Sequence, residues 1–163
     1  MTKVKQWSKY KEKKYREIDK KFLIEGEHLL QEAHKEGLIE CVISVEENTS
    51  WDMYEHYEIT SDIMKKLSSS VSGSNIMALC HYPEQKETYG KKIIILDDVQ
   101  DPGNLGTIIR SALSFGYDSI ILSKGCADVY NEKLFVLHKV HVSIFRYFEK
   151  IYRKFLLILN SRA

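Results

Sequence analysis

The stretch from Lys92 to Ser123 constrains the fold of this chain more than any other. Lys92–Leu96 (KIIIL) is a continuous apolar run, as expected of a strand buried on both faces. Asp97–Gly103 reads as a loop and Asn104–Phe115 as a helix stopped by Gly116. Asp118–Ser123 (DSIILS) reads as the next strand. A strand, loop, helix and strand in this order form the building block of a parallel sheet, so an α/β fold is predicted. At about 100° per residue, Leu105, Ile108, Ile109, Ala112 and Leu113 gather on one side of the helix. Asn104, Thr107, Arg110, Ser111 and Ser114 gather on the other, which leaves Arg110 free of the core.

Such a loop at the carboxyl end of a parallel strand is the usual ligand site of an open α/β sheet. Gly103 and Gly106 flank Asn104, where close backbone approach and free amides at a helix start would attract an anion. The same PGNLG segment is equally readable as a tight turn that merely feeds a helix. It lacks the first glycine pair of a dinucleotide fingerprint, and no Gly-Lys-Ser/Thr follows to make a P-loop. Arg110 offers five donors in a fork that can clamp phosphate. Taken alone, an arginine on a helix surface more often pairs with an acid.

Upstream, residues 22–82 alternate short strands and helices. Phe22–Ile24 is extended, and Glu25–Gly26 opens a helical stretch to Glu36 with an apolar stripe of Leu29, Leu30 and Ala33. Leu38–Val45 reads as a strand, Tyr57–Thr60 as extended, Ser61 as the cap of a short helix to Leu67, and Ile76–Tyr82 as a further strand. Residues 83–91 (PEQKETYGK) have the composition of a linker. Cys41, Cys80 and Cys126 are isolated and read as buried thiols.

Net charge is only +1, but it is unevenly placed. Residues 1–21 hold nine Lys/Arg against three Asp/Glu, whereas residues 22–91 hold five against thirteen. Residues 1–21 are therefore a basic arm that would suit a polyanion, or else a solvated basic helix face. Trp7, Tyr10 and Tyr15 interleave its lysines, and aromatics among cations can stack on unpaired bases. No run approaches the ~18 apolar residues of a membrane span. The N-terminus lacks the apolar core of a signal peptide, so a cytoplasmic location and no membrane partner are expected.

DDVQDPGNLGTIIRSALSFGYDSIILSKGCADVYNEK resembles the first signature motif of the SpoU–TrmH ribose methyltransferases, which carries an asparagine and, six residues later, an arginine. Asn104 and Arg110 stand at those positions. FLIEGEHLLQEA, with Glu25 and Gly26, is similar to the opening of that family's N-terminal substrate-binding domain, an α/β fold related to the ribosomal L30e protein. The resemblance covers residues 3–133. It implies an L30e-like α/β domain (residues 22–82) followed by an incomplete parallel α/β SPOUT domain of the trefoil-knot type (residues 92–133). It also implies methyl transfer from S-adenosylmethionine to a ribose 2′-hydroxyl of ribosomal or transfer RNA. Asn104 would hold the site together, and Arg110 would act on the 2′-hydroxyl or its phosphate. Arginine rarely gives up its proton, so stabilising a developing alkoxide is the easier role to defend. Lys5, Lys9, Lys13, Lys14 and Arg16, with Glu25 and Gly26, would grip the RNA.

Two further motifs of the family line the cofactor pocket inside the knot: a glycine-glutamate-glycine segment and an S-L-N-V-S type segment. Neither occurs here, so no residue is assigned to S-adenosylmethionine, and weak cofactor binding is expected of this chain alone. The family dimerises through the knotted domain, which makes a homodimer doubtful for this chain. After Lys133 the family reads close to VIRSTQGAxFHxP, whereas this chain reads LFVLHKVHVSIFRY. A frame shifted by one base, starting in the lysine codon, can be written to translate as VIRSTQGARFHISL. Residues 134–163 are therefore expected to be an out-of-frame tail. Their aromatic and basic pattern also fits an amphipathic helix on a membrane surface. His138 and His141 have no companion ligands, so no metal is expected. Beside the methyltransferase, two readings stand: a non-catalytic RNA-binding module, and a peripheral membrane protein held by its tail.

Overall fold

A computed structural model describes residues 2–46, 49–70, 73–83 and 90–131. The expected linker lies mostly outside these residues, and the expected out-of-frame tail lies wholly outside them. The chain divides into two compact units, which among the described residues comprise residues 2–83 with Tyr130 and Asn131, and residues 90–129.

In the first unit, helices α1 (Lys3–Lys9) and α2 (Lys13–Asp19) precede strand β1 (Lys21–Glu25). Helix α3 (Glu27–Lys35), strand β2 (Ile39–Ser44), a 3₁₀ turn (Thr49–Trp51) and strand β3 (Glu55–Glu58) follow. Helix α4 (Ser61–Leu67) and strand β4 (Ile76–His81) complete it. The strands lie in the order β1-β4-β2-β3. β4 runs antiparallel to both β1 and β2, and β3 runs parallel to β2. Successive strand residues point to opposite faces, and both faces are covered. Leu23, Cys41, Ile43, Met77 and Leu79 meet Trp7 and Tyr10 on one side, with Met64 and Leu67 of α4. The alternate residues Phe22, Ile24, Val42, Ala78 and Cys80 are also buried, on the side where α3 brings Leu29, Leu30 and Ala33. The turns follow local chemistry. Thr60, not Ser61, caps α4 by accepting from the Ile63 amide, and Gly26 takes φ 96° to lead from β1 into α3.

The N-terminal arm departs from expectation. It forms two helices whose apolar residues belong to the core: Trp7 is 3% exposed and Tyr10 fully buried. Neither ring is available to stack on a base. Burial, reinforced by a hydrogen bond to Asp19, pushes the Tyr10 hydroxyl up to about 12. Removing a buried tryptophan costs ~3–5 kcal/mol, so the segment is structural as well as basic.

The second unit contains β5 (Ile93–Leu96), α5 (Pro102–Ser114) and β6 (Ser119–Leu122), with β5 and β6 parallel and in register from Ile93↔Ser119 to Leu96↔Leu122. The expected strand, loop, helix and strand are all present. β6 is buried throughout, but β5 is only half-buried along its length, short of the two-sided burial its apolar run implies. The helix begins two residues earlier than expected, because Asp101 and Pro102 form its cap and first turn.

Candidate functional site

The carboxyl ends of β5 and β6 are joined by two loops that fasten to each other. The Asp98 amide donates to the Ser123 hydroxyl (2.9 Å), and the Ala127 amide donates to the Val99 carbonyl (2.8 Å). The Cys126 thiol reaches the Leu96 carbonyl (3.4 Å). Asp98 sits at φ 55°, a region that costs a residue with a side chain energy, and Gln100 Nε2 donates to its Oδ1. Gly125 lies close against Asp98: a Cβ there would sit 2.2 Å from Asp98 Oδ1 and would displace that carboxylate. The loop ahead of α5 is thereby held from both of its sides.

Asp101 Oδ1 accepts from the Asn104 amide at 2.7 Å. Pro102 occupies the first helical position, where its missing N–H is harmless. Two parts of the sequence reading are corrected by this geometry. Gly103 lies in the first turn of α5 with Asn104, and not in the preceding loop. The amide expected to attract an external anion is already capped by a carboxylate. Gly106 is buried.

The exposed strip of α5 is as the angular reading has it: Asn104, Thr107, Arg110, Ser111 and Ser114 are exposed, while Leu105, Gly106, Ile109 and Ala112 are buried. Arg110 Nη2 donates to Thr107 Oγ1 (3.3 Å), and Thr107 donates to the Gly103 carbonyl (3.0 Å). Among the described residues, Arg110 forms no ion pair with an acid. Its partner is a hydroxyl on the same strip. Asn104 and Arg110 thus share one solvent-facing surface at the carboxyl-end side of a parallel strand pair. Such a surface presents amide and guanidinium donors to a polyhydroxylated, anionic ligand.

The other expected site residues lie in the first unit. Lys5 and Lys14 are exposed, and Lys9 and Lys13 are half-buried. Lys9 and Lys14 flank the Tyr15 ring, their ammonium groups 5.1 and 5.9 Å from its centroid. Lys13 lies 3.7 Å from Glu17. Arg16 is a correction. It is 3% exposed and donates to the Tyr10 carbonyl at the end of α1, so it serves the fold and not an external polyanion. Glu25 is 7% exposed, with both carboxylate oxygens accepting from the Ser68 hydroxyl (2.8 and 2.9 Å). Gly26 shapes the β1–α3 turn and donates its amide to Ile76. Both therefore anchor the domain. Cys41 and Cys80 offer no competing chemistry: burial pushes Cys41 up to about 11 and Cys80 well above the ordinary value.

Among the described residues, the polar side chains at the carboxyl ends of β5 and β6 are engaged within the unit. Ser123, Asp98, Gln100 and Cys126 bond to one another or to the backbone. The residues that sequence reading missed are Asp101, Thr107, Ser123 and Gly125. An Asp-Pro pair before a helix and a Thr three residues before the arginine would have marked the first two.

These elements define an α/β protein of the kind seen in SPOUT methyltransferases. The fold of the SpoU methyltransferase AviRb from Streptomyces viridochromogenes, solved with the cofactor AdoMet, superposes with a TM-score of 0.81 at 19% identity. That match covers 99% of this chain and 68% of AviRb. A TrmH-family putative RNA methyltransferase from Porphyromonas gingivalis gives 0.80 at 23% identity, covering 97% and 66%.

The chain belongs to the SpoU rRNA methylase family: that family's profile matches residues 91–155, and an MRM3-like substrate binding domain matches residues 2–78. The 23S rRNA (guanosine(2553)-2′-O)-methyltransferase RlmP of Bacillus subtilis is 40% identical over 136 residues. The human mitochondrial rRNA methyltransferase 3 is 30% identical over 144 residues. The alignments take in 80% and 76% of this chain but only 55% and 34% of those relatives, so the chain spans about half the length of the first and a third of the second.

Proposed function

We propose that this chain provides the ribose-binding side of an S-adenosylmethionine-dependent 2′-O-methyltransferase acting on ribosomal RNA in the cytoplasm. The observation that carries this reading is the pairing of Asn104 and Arg110 on one exposed strip of α5, six residues apart, behind a loop fastened at the carboxyl end of β5. The relative named as a 23S rRNA 2′-O-methyltransferase, and those named as rRNA methyltransferases, support the choice of RNA. S-adenosylmethionine supplies the methyl group in such chemistry. This chain's own part is to receive the nucleotide: Arg110 faces the ribose and its phosphate, and its fixed charge stabilises the oxygen as it becomes nucleophilic. Asn104, capped into the first turn, offers an amide side chain to the same nucleotide. The exposed lysines of α1 and α2 add phosphate contacts.

The test is transfer of a labelled methyl group from S-adenosylmethionine to a 23S rRNA transcript, read as an alkali-resistant 2′-O-methyl linkage. Transfer by the wild type, lowered ~10²-fold or more in Arg110→Ala, is the expected outcome. Label on a base, or transfer unaffected by that substitution, overturns the reading. The non-catalytic alternative is favoured by one observation, the self-satisfied donors at the ends of β5 and β6. Salt-dependent RNA binding with no methyl transfer at all would select it.

A further inference from the structure

We propose that Thr107 is a positioning residue that fixes the direction of the Arg110 guanidinium; the idea rests on the role proposed above for Arg110. An arginine on an exposed helix face has many rotamers, and a group that must meet one oxygen of a bound nucleotide needs few. Thr107 lies one turn toward the start of α5, on the same strip. Its hydroxyl proton is committed to the Gly103 carbonyl (3.0 Å), the i−4 back-bond that holds a helical threonine in one rotamer. With the proton so used, the hydroxyl oxygen can only accept, and Arg110 Nη2 is the donor that reaches it at 3.3 Å.

The three groups therefore form a directed series: guanidinium to hydroxyl to carbonyl. It ends in the first turn of α5, whose geometry is set by the Asp101 cap on Asn104. This series draws Arg110 back along the helix toward the first turn of α5, where Asn104 stands. Valine at 107 would keep the branched shape and abolish both bonds, and serine would keep the hydroxyl. Thr107 is exposed, so neither change empties the core.

The experiment uses the full chain with Thr107→Val and Thr107→Ser, read in two ways. In ¹⁵N-labelled protein at low temperature, the two Nη groups of Arg110, assigned by their loss in Arg110→Lys, are expected to give distinct resonances in the wild type. They should merge in Thr107→Val and separate again in Thr107→Ser. Resonances already merged in the wild type, or unchanged by valine, overturn the proposal. With the 23S rRNA transcript and labelled S-adenosylmethionine, Thr107→Val is expected to lower kcat about tenfold with KM for RNA little changed, and serine to restore it. An equal loss in the serine variant, or a change in KM alone, also overturns it. If the wild type transfers no methyl group to ribose, the functional reading fails on its own, and the resonances still decide the role of Thr107.

Discussion

One carboxylate oxygen sets where α5 begins. Asp101 accepts from the Asn104 amide at 2.7 Å, so the residue named for the site and the residue that caps its helix are joined by a single bond. Asp101→Ala should destabilise the second unit by about 1 kcal/mol, and Asp101→Asn by much less. Thermal unfolding of the two variants beside the wild type checks this; equal midpoints for wild type and alanine would remove the cap from the account. At this scale the sequence was legible in part. Asn104 and Arg110 could be placed on one face by angle alone, because helical period is a property of the backbone. Arg16 could not be told from Arg110, since whether a cation faces water or a neighbouring helix end depends on how α1 and α2 pack. Trp7 and Tyr10 were misread for the same reason: an aromatic among lysines looks alike whether it stacks on a base or closes a core.

Between elements, the start of β5 is fastened by a charge. Asp118, just before β6, accepts from the amides of Lys91 (2.8 Å) and Lys92 (2.9 Å), and Gly90 is needed beside it because a Cβ would lie 2.3 Å from the Asp118 Cβ. The amides, that of Lys92 foremost, hold the carboxyl below its ordinary value of 3.8. A carboxyl lowered by folding contributes stability above its unfolded value, and that stability is lost as pH falls through the lowered folded value. Asp118→Asn keeps an acceptor and removes the charge. Its urea midpoint should lie below the wild type at neutral pH, and the two should converge as pH falls below about 4. A gap that persists through acid would mean that the charge is not what holds the turn. From β1 onward the order of strands and helices was readable, but the edges were not. β5 is half-buried despite its apolar run, because burial depends on what covers a strand and composition records only what the strand could tolerate. The helices of residues 3–19 were readable only as a solvated basic face, because their lysines mask the short apolar pair Trp7 and Tyr10.

At the scale of the whole molecule, the small net charge of +1 conceals a basic beginning on an acidic body. Binding to RNA then depends on which of those cations reach solvent. Each phosphate neutralised releases counterions, so the slope of log affinity against log salt counts contacts at about 0.7–0.9 per phosphate. Lys5 and Lys14 are exposed on α1 and α2, and Lys14 shares the Tyr15 ring with Lys9. Alanine at Lys5 or Lys14 should reduce the slope for a 23S rRNA transcript by about one each, with the fold unchanged. Arg16→Ala should do the opposite. It removes a buried donor from the Tyr10 carbonyl, costing ~1–3 kcal/mol of stability, while the slope of the folded fraction stays as it was. Slopes indifferent to both lysines would move the RNA surface off these helices. A slope lowered by Arg16→Ala at full folding would return that residue to the interface from which its burial removes it.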